Sequence, residues 1–260
     1  MTTEQTKERF TEREFWDDYW RGMRLPASVG WSTNVGHNEI LKLLTRELKT
    51  RGLKTLEVGG APGQYLAFLV KEFGAEGHVL DYSPIGCAAT RRNFELLGLP
   101  VSVHEGDFFS DATLQPRQFD VVYSLGFIEH FGDLTSVMER HVRLTKPGGL
   151  VIVGCPNFRG INGWFLSRLA PELLSKHNTQ MMDPADWVTF EQKLGLTPLF
   201  RGCIAGFEPG IFNRWEKPSV RHAPLKLAAA VMQRAFRWKP FKLVNDVRFS
   251  QYSMAVYRVP

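Results

Sequence analysis

The chain has 260 residues, of which 43% are hydrophobic and 23% are charged, a balance typical of globular proteins that excludes a disordered or fibrous chain. No apolar run approaches the ~18 residues of a membrane span, and the polar first fifteen residues predict no secretory signal. The three cysteines lie far apart, which excludes a disulfide framework or a four-cysteine zinc site and favours a reducing, cytoplasmic location.

The net charge of +5 is unevenly distributed along the chain. Residues 201–250 hold ten lysines and arginines against three acids, so this segment carries +7 and the remainder carries −2. The first two hundred residues are therefore not a basic binding surface. The mild net charge does not by itself imply a nucleic-acid partner, and none is expected.

Residues 1–50 are predicted to form an N-terminal lid arm followed by a helix. The arm includes the aromatic stretch FWDDYWRGMRLP at 15–26, and the helix is predicted around 38–49. Trp16, Tyr19 and Trp20 either cover a bound ligand or bury the aromatic face of a surface helix, and the sequence leaves both alternatives open.

From residue 51 onward, short apolar runs alternate with helical patterns, which predicts βα units and a mostly parallel sheet. The runs end about every two dozen residues, which leaves room for a crossover helix between them. The predicted strands lie at 54–59, 77–82, 101–107, 119–125 and 149–155.

Helix boundaries between these strands are marked by local signals. Ser83 followed by Pro84 predicts a helix start, and Gly98 predicts its end. Asp133 is predicted to cap a helix that runs to Leu144.

The last hundred residues contain two predicted insertions and two strands. A helical insertion is expected at about 160–195, a strand at 198–206, a basic insertion at about 207–249 and a final strand at 251–260. Within the basic insertion, residues 225–238 read as a helix with Leu225, Ala228, Met232 and Phe236 on one face. Three alternatives are open for this helix. It is a lid packed on a substrate pocket, a helix that lies on an anionic membrane surface, or one that presents a partner-binding or solvated face.

A glycine-rich turn follows the first strand, in the stretch from Glu57 to Gly63. Glycines let the backbone turn sharply and approach a ligand closely, and the following helix offers unpaired N–H groups. The spacing is neither the dinucleotide fingerprint nor a P-loop. An acid in this turn would repel a phosphate, whereas it suits a ligand that carries an ammonium and a sulfonium.

Two further acids end the next two strands. Asp81 ends the second strand, where a carboxylate can accept hydrogen bonds from both ribose hydroxyls. Asp107 ends the third, where it could accept from an adenine amino group while Phe108 packs on the ring. Together with Glu57, these acids line the crevice where open parallel sheets bind ligands.

These motifs, with Phe119-Asp120-Val121-Val122 and Lys146-Pro147-Gly148-Gly149, resemble the class I S-adenosylmethionine-dependent methyltransferases over about residues 50–158. The resemblance implies a domain over 51–260 with a Rossmann-like α/β fold. Its seven-stranded sheet is mostly parallel, with an antiparallel last strand between strands five and six. Helices cover both faces of the sheet, and helical insertions form a lid. It also implies S-adenosyl-L-methionine as the cofactor.

Carried over position by position, the resemblance assigns roles around that cofactor. Glu57 would orient the methionine ammonium, Asp81 the ribose, and Asp107 the adenine. The full set of predicted cofactor-binding residues is Glu57, Gly59, Gly60, Gly63, Asp81, Tyr82, Asp107, Phe108, Ser124 and Leu125.

Candidates for proton transfer follow the fourth strand. His130 has a suitable unperturbed pKa, with structural packing as the alternative, and His177 in the 160–195 insertion is the second candidate. Glu129-His130 resembles the same dipeptide in ubiquinone-biosynthesis O-methyltransferases, some of which bind a divalent cation through a further acid three residues earlier. Gly126 stands at that position, so no metal is expected.

The sequence therefore predicts methyl transfer by in-line displacement to a small-molecule acceptor, with oxygen favoured over nitrogen or carbon. One alternative is a macromolecular or lipid-like substrate that uses the basic segment, with peripheral membrane contact through residues 225–238. Another is a non-catalytic cofactor-binding module. The oligomeric state is not predicted.

Overall fold

A computed structural model describes residues 9–32, 34–48, 50–110, 114–208, 222–236 and 244–260. Within these residues, seven strands form one sheet in the order β3-β2-β1-β4-β5-β7-β6. The strands are β1 Lys54–Val58, β2 Glu76–Asp81, β3 Ser102–Glu105, β4 Phe119–Leu125, β5 Thr145–Pro156, β6 Thr197–Ile204 and β7 Tyr252–Arg258. Strands β1 to β5 pair in parallel, and β7 runs antiparallel to both β5 and β6. The predicted fold class is confirmed, including the antiparallel last strand between the fifth and sixth.

Helices cover both faces of the sheet. They are α1 Arg13–Arg21, α2 Val35–Thr45, α3 Gln64–Phe73, α4 Pro84–Leu97, α5 Leu134–Leu144, α6 Gly160–Leu169, α7 Pro171–Leu174, α8 Val188–Leu194 and α9 Ala223–Phe236. One apolar cluster joins the sheet to α5, α6, α8 and α9, and the other joins it to α2, α3 and α4. None of the described helices combines the length and the apolar character needed to cross a membrane.

The local boundary signals act as predicted, with one shift. The Ser83 side chain accepts a hydrogen bond from the Gly86 N–H at the start of α4, and Gly98 ends that helix in the left-handed region with φ 66°. Asp133 caps α5 through the Ser136 N–H. Helix α2 begins at Val35, before the predicted start, because the Asn34 side chain accepts from the His37 N–H and so caps the helix earlier.

The basic helix α9 packs its inner side on the core. Leu225, Ala229 and Met232 belong to the same apolar cluster as the side chains of α6. The inner face therefore includes Ala229, whereas the prediction had placed the exposed Ala228 there. The outer face carries Leu227, which is 68% exposed, and the predicted contribution of Phe236 and the residues beyond it lies outside the described side chains.

The two insertions are joined to each other at their bases. The Asn157 side chain donates to the carbonyls of Val247 and Ser250, at 2.7 and 2.9 Å, and the Asn162 side chain also donates to Ser250 at 2.9 Å. A Cβ on Gly160 would lie 2.2 Å from the Arg248 carbonyl oxygen, so only glycine permits this approach. The start of the 160–195 insertion and the end of the 207–249 insertion thus share one set of hydrogen bonds.

The turn between β1 and α3 depends on Gly63. This residue lies in the left-handed region with φ 79°, and a Cβ there would lie 2.7 Å from Cε2 of Phe94 on α4. The missing side chain therefore lets α3 and α4 pack together directly behind the glycine-rich turn.

We expect Gly63→Ala to lower the free energy of unfolding by about 2 to 5 kcal/mol. The left-handed backbone costs ~1–2 kcal/mol for a residue with a Cβ, and the clash with Phe94 adds ~1–3 kcal/mol. Gly52→Ala is the matched control, because Gly52 has φ 76° and open space around its Cβ position. Urea unfolding of both variants measures the difference. If both lose the same free energy of unfolding, the Phe94 contact does not contribute to the cost of Gly63→Ala.

Candidate active site

Two adjoining cavities lie at the carboxyl ends of β1, β2 and β4, beneath α1. The smaller is lined by Asp81, Tyr82 and Phe108, and the larger is an open cleft of about 630 Å³ that contains Glu57 and Gly60. Both are lined by Trp16, Trp20, Gly59, Gly126 and His130. Of the two alternatives for the aromatic arm, the structure therefore favours the one in which it covers a cavity.

Asp81 forms part of the wall of the smaller cavity. Its carboxylate accepts a hydrogen bond from the Ser83 N–H at 2.9 Å, and burial raises its pKa to about 6. The Ser83 hydroxyl in turn donates to Asp17 of α1, which ties the arm to the start of α4. The structure places Asp81 beside Tyr82 and Phe108, so three predicted cofactor residues meet in one cavity.

Asp107 has a partner that the sequence did not predict. One of its oxygens accepts from the Phe109 N–H, and the other pairs with the guanidinium of Arg9. Burial alone would raise the pKa of Asp107, but the Phe109 and Arg9 interactions outweigh it and hold this pKa below its usual value. The adenine contact of Asp107 stays a prediction. In this structure one of the two Asp107 carboxylate oxygens is already paired with Arg9.

Arg9 itself lines the smaller cavity. Its guanidinium lies 5.3 Å from the centre of the Tyr82 ring, and the Phe10 N–H donates to the His130 carbonyl at 3.0 Å. No local pattern in the polar N-terminal stretch marks Arg9, because its role depends on a contact with a residue almost a hundred positions away.

Glu57 is a buried acid at the glycine-rich turn, only 3% exposed. Burial raises its pKa to about 8, and no described residue hydrogen-bonds to its Oε2. A Cβ on Gly60 would lie 2.1 Å from Cγ of Glu57, so Gly60 is required for this side-chain position. An unpartnered carboxylate oxygen in a cavity wall fits a ligand that carries a positive charge.

Glu129, His130 and His177 meet in the wall of the larger cavity, and we call them the trio. One potential ligand atom of each lies within 4.8 Å of the others, and the two imidazole rings are 4.5 Å apart. The structure therefore brings together all three residues that the sequence named as catalytic candidates, although His177 comes from a separate insertion.

Hydrogen bonds fix the trio in place. The His130 Nδ1–H donates to the Lys176 carbonyl at 3.0 Å, and the His177 Nδ1–H donates to the Leu173 carbonyl at 2.6 Å. The Asn178 N–H donates to the Glu129 carbonyl at 2.7 Å. The 173–178 segment is thereby bonded directly to the turn after β4.

Burial separates the proton affinities within the trio. It lowers the pKa of His130 to about 3 and that of His177 to about 4, and it raises the pKa of Glu129 to about 8. Both imidazoles are therefore neutral at ordinary pH. The role of His130 as a base stays a prediction, and within the trio Glu129 has the higher affinity for a proton.

The remaining predicted residues differ in position. Leu125 lines the larger cavity, whereas the Ser124 hydroxyl is fully buried 3.0 Å from Nε2 of His141. Gly63 lies behind the cavity against Phe94, as its helix-packing role requires. The cofactor contacts predicted for Ser124 and Leu125 stay predictions.

The larger cavity also contains a polar pair that the sequence did not predict. His37 Nδ1 lies 2.9 Å from the Tyr65 hydroxyl, and both residues line the cleft. Their pairing joins α2 to α3, and neither residue occurs in a recognisable motif.

Comparison with known proteins agrees with this geometry. Residues 55–149 match a family described as a methyltransferase domain. The order of the sheet, the glycine-rich turn after β1 and the acid at the end of β2 agree with that match. The resemblance to the class I S-adenosylmethionine-dependent methyltransferases is confirmed by this match and by the fold.

Named relatives resemble part of the chain. The tocopherol O-methyltransferase of Arabidopsis thaliana is 29% identical over 156 residues, 54% of this chain and 44% of the relative. The ubiquinone biosynthesis O-methyltransferase of Proteus mirabilis is 29% identical over 123 residues, 47% of this chain and 49% of the relative. The matched stretch thus spans about half the length of these relatives.

A solved structure shares the fold over almost the whole chain. Geranyl diphosphate C-methyltransferase from Streptomyces coelicolor, in complex with Mg²⁺, geranyl diphosphate and S-adenosyl-L-homocysteine, has a TM-score of 0.63. It covers 95% of this chain and 97% of its own, at 12% identity. At that identity the likeness concerns the fold alone.

The buried carboxylate of Glu57 makes stability depend on pH. Since its folded-state pKa of about 8 lies above the ordinary value of 4.5, the folded protein keeps a proton that the unfolded chain loses. This contribution is present at pH 5 and is lost as the pH rises towards 8. We expect the free energy of unfolding of Glu57→Gln to fall several kcal/mol less than that of the wild type between pH 5 and pH 8.

Urea unfolding at the two pH values measures this difference. Glu14→Gln on the exposed side of α1 is the control and should follow the wild type. A pH dependence that is the same in Glu57→Gln and the wild type would mean that Glu57 is not the titrating group.

Proposed function

We propose that this protein transfers the methyl group of S-adenosylmethionine to a hydroxyl oxygen of a small, uncharged and largely apolar acceptor in the larger cavity. The observation that carries the proposal is the arrangement of that cavity. Glu57, whose Oε2 has no described hydrogen-bond partner, lines the same cavity as the trio.

The cofactor fits the two cavities by charge and shape. Bound S-adenosylmethionine supplies a methyl group that its sulfonium already activates. The Glu57 carboxylate suits the cofactor's ammonium, and Asp81 in the smaller cavity suits the ribose hydroxyls. Trp16 and Trp20 cover the junction of the cavities and exclude water from it.

The charge of the larger cavity restricts the acceptor. Among the described residues, its walls include Glu57, Glu129 and Glu208 but no lysine or arginine. An acceptor with a carboxylate or phosphate group would meet no described counter-charge there, and it would oppose the ionisation of Glu57 and Glu129. Tyr19, Phe158 and other apolar side chains supply much of the remaining wall, which favours an aromatic or aliphatic acceptor.

The trio supports oxygen as the methylated atom. An alcohol or phenol must lose its proton during methylation. The trio offers imidazole lone pairs to receive it and, above about pH 8, the Glu129 carboxylate as well. Both relatives described above are O-methyltransferases by name, which agrees with this choice.

Other predictions stay open beside this one. Membrane contact is supported by the outward Leu227 and Val231 of α9, which lie close in sequence to Lys226 and Arg234. The cytoplasmic location, the absence of a nucleic-acid partner and the alternative of a non-catalytic module also remain predictions. Release of S-adenosylhomocysteine during incubation with a metabolite extract separates a catalyst from a binding module.

The cofactor assignment is tested by isothermal titration calorimetry with S-adenosylmethionine. We expect Asp81→Ala to weaken binding about 10- to 100-fold, because the lost hydrogen bonds of a buried site are worth ~1–3 kcal/mol. Asp18→Ala, an exposed acid on α1, should leave the affinity unchanged. Unaltered binding by Asp81→Ala would remove the ribose assignment, and preferential binding of NAD would overturn the proposed function.

The acceptor assignment is tested by turnover with a panel of small phenols and alcohols. We expect Glu129→Gln to lower the turnover number by ~10²- to 10⁴-fold, the usual contribution of a positioned proton acceptor. Its affinity for S-adenosylmethionine should change less than about threefold, since Glu129 does not line the smaller cavity that holds Asp81. Glu172→Gln on the exposed side of α7 is the control. A variant that loses cofactor affinity but keeps its turnover would assign Glu129 a structural role instead.

A further inference from the structure

The N-terminal arm places a charged side chain at the proposed nucleoside site. Arg9 lines the smaller cavity, and its guanidinium pairs with Asp107. Gly106 and Phe108, the neighbours of Asp107 in sequence, also line this cavity, whereas Asp107 itself does not. We propose that Arg9 is an autoinhibitory latch, which must leave Asp107 before the nucleoside of the cofactor can bind. The inference rests on the proposed function, because it concerns the entry of the proposed cofactor.

The guanidinium makes the contacts that a purine base would make in this place. It donates a hydrogen bond to the Asp107 carboxylate, and its Cζ lies 5.3 Å from the centre of the Tyr82 ring. The ring centres of Phe131 and Phe109 lie 5.7 and 6.0 Å from the same atom. A guanidinium is planar and carries N–H donors, as the amino-substituted ring of adenine does. Arg9 therefore acts as an internal substitute for the base.

The volume of the smaller cavity supports the same conclusion. The two cavities follow the two-part outline of the cofactor, but the smaller one has a volume of only about 40 Å³. This space has room for a few water molecules, whereas pockets for organic ligands usually measure ~300–1,000 Å³. A nucleoside can therefore enter only when part of the wall moves. The side chain of Arg9 can rotate away without any change in the sheet.

The latch is not fully satisfied in its own position. The Nε–H of Arg9 is buried and has no hydrogen-bond acceptor among the described residues. An unpartnered buried donor costs free energy. The ion pair with Asp107 is also partly exposed, so water can reach both groups when they separate. A contact of this kind can be displaced by a ligand that binds Asp107 in its place.

The backbone of the arm extends the effect to the larger cavity. Arg9 forms an antiparallel bridge with Phe131, and the Phe10 N–H donates to the His130 carbonyl at 3.0 Å. Farther along the arm, the Trp16 ring packs against the His130 ring at 5.0 Å. Displacement of Arg9 thus removes one of the interactions that hold the arm over both cavities.

A latch lowers the observed affinity for the ligand that displaces it. Only molecules in which Asp107 is free can bind the base, so the apparent Kd rises by the reciprocal of their fraction. Removal of the guanidinium abolishes this penalty. The latch therefore predicts tighter binding when Arg9 is lost, whereas a residue that holds the cofactor would give weaker binding.

Isothermal titration calorimetry with S-adenosylhomocysteine and with adenosine tests the latch. Arg9→Met removes the guanidinium and keeps an unbranched side chain. We expect it to bind both ligands ~5- to 100-fold more tightly than the wild type, within the usual range of coupling between sites. Arg9→Lys keeps the charge but loses the planar donor fork, and it should show a smaller gain.

Two further variants separate the latch from a general loosening of the arm. Asp17→Ala removes the hydrogen bond from Ser83, another interaction of the arm, but leaves Asp107 paired. It should not bind either ligand more tightly. In an Asp107→Asn background, Arg9→Met should add less than about twofold, because the carboxylate that holds the latch is gone. Circular dichroism and urea unfolding establish that each variant is folded.

The outcomes distinguish the latch from the proposed function. Unchanged or weaker binding by Arg9→Met would overturn the latch, and so would an equal gain in Asp17→Ala. Either result would leave the proposed function intact, because the wild type would still bind the ligands. If neither the wild type nor Arg9→Met bound S-adenosylhomocysteine or adenosine, the proposed function would fail together with the latch.

Discussion

Two carboxyl groups that are buried without a matching cation govern the organisation of this site. Glu57 and Glu129 lie in the wall of one cavity, and burial raises the pKa of each to about 8. Ionising either carboxyl group without a partner costs free energy, so the cavity favours ligands that bring positive charge. The sulfonium cofactor proposed above would answer this constraint.

The smaller cavity, in contrast, is lined by a residue of an ion pair. There, the Arg9 guanidinium pairs with Asp107, and α1 is tied to the start of α4 through Asp17 and Ser83. The arm therefore gives the smaller cavity a positive group of its own, whereas the described walls of the larger cavity have none. The two cavities thus differ in the charge of their walls, although both are lined by Trp16, Trp20 and His130.

Local signals predicted the scaffold well because their physical causes are local. The strand ends follow from apolar runs and turn residues, and Gly98 and Asp133 end and begin helices through bonds to close neighbours. The partner of Asp107 and the approach of His177 to His130 were not predictable in this way. Both depend on how loops that are distant in sequence pack together. A single histidine or arginine in a loop belongs to no periodic pattern, so its spatial contacts cannot be predicted from the sequence.

The hydrogen bonds between the bases of the two insertions restrict how these insertions can evolve. Asn157 and Asn162 at the first insertion bond to the carbonyls of 247–250 at the end of the second, and Gly160 permits their close approach. Transplanting one insertion into a related enzyme without the other would leave these buried amides and carbonyls unmatched. The two segments therefore form a single exchangeable module, and changes in acceptor preference should be inherited through both together.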